Sequence, residues 1–250
     1  MSDQIFQNTI ILNSSDKIFG DINNFIVEIP KTTKIEKIQL EKIRIPYTYY
    51  NVTEYNNKFI FEDNLNNNIA VEIPVGNYGT SEIISAVKLA MDNAPLSTQI
   101  FFCTLNDLTK KVSITSTLNF SLNFSIANSL GPLIGFGKNN YLPNKTTSYI
   151  SPGILNLSYN NTHINVYSKT LTRHSDRNIT SDNKSYFVSV QNDVNFGQYI
   201  TYEPQQNNIF NFIDTATLQN IDFKFESPQH DDIDFNQVDS IQVTLKIYTK

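Results

Sequence analysis

The sequence predicts an all-β fold: an antiparallel β-sandwich, a single jelly roll carrying one short amphipathic helix. Three observations lead there. Apolar residues recur at every second position in about ten to twelve short segments separated by turn residues, the pattern of half-buried strands. A single segment has helical spacing instead, and no internal repeat is visible. The 250 residues suit one large sandwich, so the chain is read as one jelly-roll domain over 1–250.

The elements follow in order. "NTIILN" and "NFIVEIP" open the chain as strands, with Phe25, Val27 and Ile29 on one side. From Ile35 to Ile45 the alternation Ile38, Leu40 resumes at Ile43, Ile45 after two charged residues rather than one. A slip of one residue would turn every later side chain to the wrong face, so a β-bulge is expected at Glu41-Lys42. "KFIFED" and "IAVEIP" form a hairpin around the turn Asn64 to Asn68. In "VGNYGTSEIISAVKLAMDNAP", Ile83, Ile84, Val87, Ala90 and Met91 recur at helical spacing. Thr80 is the expected N-cap, Glu82 suits the first turn, and Pro95 closes the helix. "QIFFCTLN" and "KKVSITST" make a second hairpin, and Phe120, Leu122 and Phe124 alternate again. Strands are expected at Ile164 to Tyr167, Tyr186 to Val190, Leu218 to Phe225 and Ile241 to Ile247. The last places Ile241, Val243, Leu245 and Ile247 opposite Gln242, Thr244 and Lys246. Leu171 to Lys184 reads as a solvated loop.

Composition narrows the function. A net charge of −5 with three arginines (Arg44, Arg173, Arg177) argues against a face built to neutralise many phosphates, so direct nucleic-acid binding is not expected. No stretch approaches the apolar length of a membrane span, and "MSDQIFQNTI" lacks the features of a secretory signal, which points to a soluble protein made in a reducing compartment. Cys103, the lone cysteine, lies in the apolar run "IFFCTL" and reads as a buried inert thiol. The chain holds 33 asparagines, so its N-x-[ST] triplets are taken as chance and not as glycosylation sites.

The segment "LGPLIGFGKNNYLP", Leu130 to Pro143, invites comparison with a phosphate-binding loop. Yet Pro132 stands where the first glycine should be and has no N–H, and Asn139 replaces the hydroxyl residue. The chemistry-bearing candidates are sparse. "QHDDIDF" gathers His230 with Asp231, Asp232 and Asp234, the best metal candidate, although Pro228 makes an exposed turn the stronger reading. No hydrolase, metalloprotease or dinucleotide motif is present, so no catalytic, cofactor-binding or metal residues are assigned and no cofactor is expected.

Five ordered segments carry a resemblance. They are "NTIILNSSDKI" with "NFIVEIP"; "KIQLEKIRIPYTYYNV" with "NNKFIFED"; "VEIPVGNYGTSEIISAVKLAMD"; "KKVSITST" leading to "SLGPLIGF"; and "LQNIDFKFESPQHDDIDFNQVDSIQVTLKIY". Together they resemble the vertex (penton) and related minor capsid proteins of virophages and of Polinton-type elements and viruses. The resemblance implies a non-enzymatic virion protein: a homopentamer at the fivefold vertices of an icosahedral shell, surrounded by a double-jelly-roll major capsid protein and assembled in the host cytoplasm. In that company "SLGPLIGFG" becomes a structural corner, with Leu130, Leu133, Ile134 and Phe136 as core plugs. Residues 141–202 lie outside the resemblance and are open to an insertion or surface decoration.

Two other readings compete. A carbohydrate-binding, lectin-like attachment module could use Tyr159, Asn160 and His163. A hydrolase on the same fold would have His174, Asp176 and His230 as its candidates, which share no motif.

Overall fold

Fifteen strands appear in the computed structural model, which describes residues 6–32, 35–95, 99–138, 141–159, 161–173, 186–205, 208–211 and 218–249. In chain order they are β1 Phe6–Asn13, β2 Lys17–Asp21, β3 Asn24–Thr32, β4 Ile35–Pro46, β5 Lys58–Glu62, β6 Asn68–Glu72, β7 Phe101–Leu105, β8 Val112–Asn123 and β9 Tyr141–Ile150. Then follow β10 His163–Tyr167, β11 Tyr186–Gln191, β12 Tyr199–Tyr202, β13 Asn208–Asn211, β14 Leu218–Glu226 and β15 Gln242–Thr249. Two α-helices interrupt them, α1 Thr80–Asp92 and the short α2 Lys169–Arg173. The chain divides into two compact units: Met1–Tyr49 with Thr162–Lys250, and Tyr50–Asn161, inserted in sequence between β4 and β10.

The first unit is the jelly roll. Its two antiparallel sheets run β1-β15-β4-β12, with β13 also on β4, and β11-β10-β14-β3-β2. The pairings nest: β1 with β15, β3 with β14, β4 with β12 and β13, β10 with β11. A long hairpin rolled upon itself produces this nesting, and strands from β3 onward cross between sheets at every step except β10 to β11 and β12 to β13. The alternation read from the sequence sets the inner faces. Phe25, Val27, Ile38, Leu40, Ile43, Ile45, Phe223, Phe225, Val243 and Leu245 are all buried in one apolar cluster. The bulge is where the sequence places it: Thr244 pairs with Lys42 and Leu245 with Leu40, leaving Glu41 unpaired and both apolar runs facing inward.

In the second unit, the sheet runs β6-β5-β8-β7, with β9 on β8. Helix α1 buries Ile83, Ile84, Val87 and Met91 in the same cluster as Phe59, Phe61 and Phe101. Its N-cap is Gly79 and not Thr80, which is the first helical residue; Gly79 N–H donates to Glu82 Oε2 at 2.7 Å. A cap without a side-chain oxygen is offset here by the first-turn carboxylate reaching back.

The corner Leu130 to Phe136 belongs to this unit's core, and Leu130, Leu133 and Ile134 are fully buried. Phe136 stacks on Phe124 at 4.9 Å between ring centroids, and Phe124 stacks on Phe59 at 5.5 Å. The loop's N–H groups turn inward: Leu133 N–H donates to Leu130 O, and those of Phe136 and Gly137 to Gly131 O. A phosphate cradle needs such groups to point outward, so the corner reading holds. Lys138 lies exposed beside it. Lys138→Ala is expected to shift stability by no more than about 0.5 kcal/mol, a result that denaturant titration checks.

Several elements differ from expectation. Strand β9 and the second helix α2 fall inside the region 141–202, which contributes β9 to the second unit and β10, β11 and β12 to the jelly roll. The start of the expected loop, Leu171 to Arg173, is the last turn of α2, held because the Lys169 and Thr170 N–H groups donate to Asp222 at 2.8 and 2.7 Å. The rest of that loop, residues 174–184, lies outside the described residues.

Candidate assembly and binding surfaces

The outer face of the β1-β15-β4-β12 sheet concentrates the charged and aromatic side chains that alternation turns away from the core. Arg44, exposed, places its guanidinium 3.9 Å from the ring centroid of Tyr199, and Lys37 stands 4.2 Å over Tyr248. Both tyrosines are anchored, Tyr199 Oη 3.0 Å from Ser240 Oγ and Tyr248 Oη donating to Gln39 Oε1 at 2.9 Å. Lys42 pairs with Glu203 at 2.9 Å, and Lys246 with Glu41, which holds the Lys246 ammonium above its ordinary range. Lys37 and Arg44 have no carboxylate partner among the described residues. Beside Arg44 lies an open cavity of about 670 Å³.

On the other sheet, Glu226 is almost fully buried and accepts from Lys224 Nζ at 2.8 Å, while Lys224 also meets Asp232 at 3.2 Å. The Glu226 hydrogen bond above all raises the Lys224 pKa, against the opposing effect of burial; Asp232 adds to the rise. His230 occupies the turn after Pro228 with φ 66°, its Nδ1 3.3 Å from Glu226 Oε2 and 3.2 Å from Tyr167 Oη. The ammonium of Lys224 thus lies between the carboxylates of Glu226 and Asp232. Among the described residues no three His, Cys, Asp or Glu side chains come together as metal ligands. Asp234 caps its own turn by accepting from Asn236 N–H at 2.8 Å.

The other sequence candidates fall in different units or outside the described residues. Tyr159 packs against the second unit's core and His163 opens β10 in the first, 3.1 Å from Thr162 Oγ1. Asn160, His174 and Asp176 lie outside the described residues. Cys103 is half-buried, and burial first, then Asp92, pushes its thiol up to about 12, opposed by Lys88. Its thiolate fraction at pH 8 is then roughly three orders of magnitude below that of a free thiol of pKa about 8.5. Native protein is therefore expected to resist iodoacetamide and unfolded protein to react; equal rates would contradict this environment.

A second surface, missed in the sequence, lies on the second unit. Phe102 pairs across to Thr115, and Thr115 to Ser148; one row away Ile150 pairs with Ser113. With Ile100 these make an uncharged outer sheet face on which Ile100, Phe102 and Ile150 are each more than half exposed. The signal was present in the alternation of "QIFFCTLN", where Phe102 takes the side opposite Phe101 and Cys103. No helix among the described residues is long and apolar enough to cross a membrane.

No family model matches the chain. No curated protein matches it in sequence. Among solved structures, the chain is similar to the crystal structure of the mavirus penton protein, with a TM-score of 0.52 and 11% identity over 99% of this chain and 100% of that one. The fold is therefore penton-like, an all-β jelly-roll architecture shared at a sequence distance where few side chains are common.

Proposed function

We propose that the chain is a structural capsid protein, a penton subunit that assembles as a homopentamer at the fivefold vertices of an icosahedral shell. The observation that carries this reading is the extent of the likeness. It runs over 99% of this chain and 100% of the other, and so takes in the inserted unit as well as the jelly roll. The role is one of assembly and not catalysis, with residues 1–250 acting as one subunit in the virion. A double-jelly-roll major capsid protein is the proposed neighbour.

Ring closure needs a heterologous contact, one face of a subunit against a different face of the next. The exposed Ile100, Phe102 and Ile150, on the uncharged face beside β8, supply contact area of the kind buried on assembly. Native mass measurement of the purified chain tests the reading. The expected species is five times the 28.6 kDa chain mass; a protein that stays monomeric at all concentrations and is absent from particles would overturn it.

A further inference from the structure

The cavity beside Arg44 has the chemistry of a ligand site, and its lining offers donors with few acceptors. The register aligns Thr201, Arg44 and Gln242 in one row across β12, β4 and β15. Lys42 lines the same cavity two residues along β4, and Val194, Gln198 and Tyr199 complete the wall. Arg44 makes no hydrogen bond or ion pair with any described residue, and its guanidinium carbon lies over the Tyr199 ring, 3.9 Å from the centroid. Tyr199 is itself held by Ser240. The guanidinium is thus placed by the ring, with its N–H groups unspent among the described residues. The Gln198 side-chain oxygen Oε1 accepts from Asn195 N–H at 3.0 Å, which turns the side-chain amide hydrogens to the remaining side. Gln242 is fixed by donating to Asn13 Oδ1 at 3.2 Å, leaving its own carbonyl as an acceptor. The Lys42 charge is shared with Glu203.

Such a set fits an acceptor-rich anion, since a guanidinium fork matches the paired oxygens of a carboxylate or sulfate. The space is far larger than a bare anion needs and falls within the range of small-molecule sites, about 300–1,000 Å³. The neutral groups Thr201, Gln198 and Gln242 suit hydroxyls. We propose that this cavity binds an acidic carbohydrate, a sugar carrying a carboxylate or sulfate, with Arg44 as the anion anchor and Thr201, Gln198 and Gln242 as hydroxyl partners. This site goes beyond the capsid reading and does not depend on it.

Calorimetry or saturation-transfer NMR on the full chain tests the proposal, with N-acetylneuraminic acid, glucuronic acid, galactose 6-sulfate, neutral galactose and inorganic sulfate as probes. At least one acidic sugar should bind at millimolar affinity, about tenfold or more tighter than galactose and than sulfate alone. Which of them binds separates carboxylate from sulfate. Arg44→Ala should weaken that binding about tenfold, and Arg44→Lys should weaken it too, because the fork is lost while the charge stays. Lys37→Ala, at the other stacked cation, should leave it unchanged. The oligomeric state should be the same in all variants. The proposal is overturned if no acidic sugar binds, if sulfate binds as well as the sugars, or if binding survives Arg44→Ala. It is equally overturned if Arg44→Ala dissociates the assembly, which would make the cavity a seat for an acidic side chain of a second copy.

Discussion

Leu245→Asp is expected to abolish folding of the jelly-roll unit. Leu245 lies in β15, between β1 and β4, where it pairs with Ile10 on one side and Leu40 on the other and is fully buried. A carboxylate there would lie among apolar side chains. An unpaired buried charge costs several kcal/mol, much of a typical domain stability of about 5–15 kcal/mol. The neighbouring Thr244 points to the outer face and pairs with Lys42, so Thr244→Asp puts a carboxylate beside an ammonium and should change stability by less than about 0.5 kcal/mol. Soluble yield and chemical denaturation of the two variants check this. Equal tolerance of both would contradict the orientation of β15 and with it the sandwich.

Gly135→Val is the second large effect. Gly135 has φ +81°, and a Cβ built there would lie 2.5 Å from the carbonyl oxygen of Gly153 and 2.8 Å from that of Ile154. Both obstacles are backbone, so neither can swing aside. A β-branched residue in the left-handed region adds strain of about 1–3 kcal/mol to that clash. Phe136→Ala, next in sequence, removes the ring that stacks on Phe124 and should cost about 3–5 kcal/mol through lost burial and the cavity left behind. Thermal unfolding should rank both far below Lys138→Ala. Adding ATP and magnesium should move none of the melting temperatures; a rise that vanishes in Lys138→Ala would restore the phosphate-loop reading.

The sequence carried most of the strands because burial imposes period two wherever one face packs. The slip at Glu41-Lys42 was legible because a bulge is the only local way to keep Ile43 and Ile45 on the face of Ile38 and Leu40. Strand β9 was not legible. "YLPNKTTSYI" is mostly polar and does not alternate; it is recruited by pairing with the long strand β8, with Tyr149 Oη donating to the Phe120 carbonyl at 2.9 Å. Strand β2 hid for a different reason: it is an edge strand that leaves Ile18 and Phe19 exposed, so no inward pattern marks it.

The division of the chain was invisible as well. Composition does not change at Tyr50 or at Asn161, and what separates the units is pairing across long sequence distance, β4 with β12 and β15. The cavity beside Arg44 needed the same long-range information. Its lining comes from three strands far apart in the sequence and from the segment before β12, and only the register brings Thr201, Arg44 and Gln242 into one row.

Averaging images of purified particles to resolve the fivefold axis tests the vertex assignment most directly. The account predicts five copies of a penton-like density at each vertex, into which the jelly roll of 1–49 and 162–250 and the inserted unit of 50–161 each fit. A vertex filled by a different chain, with this one absent from the particle, would contradict it.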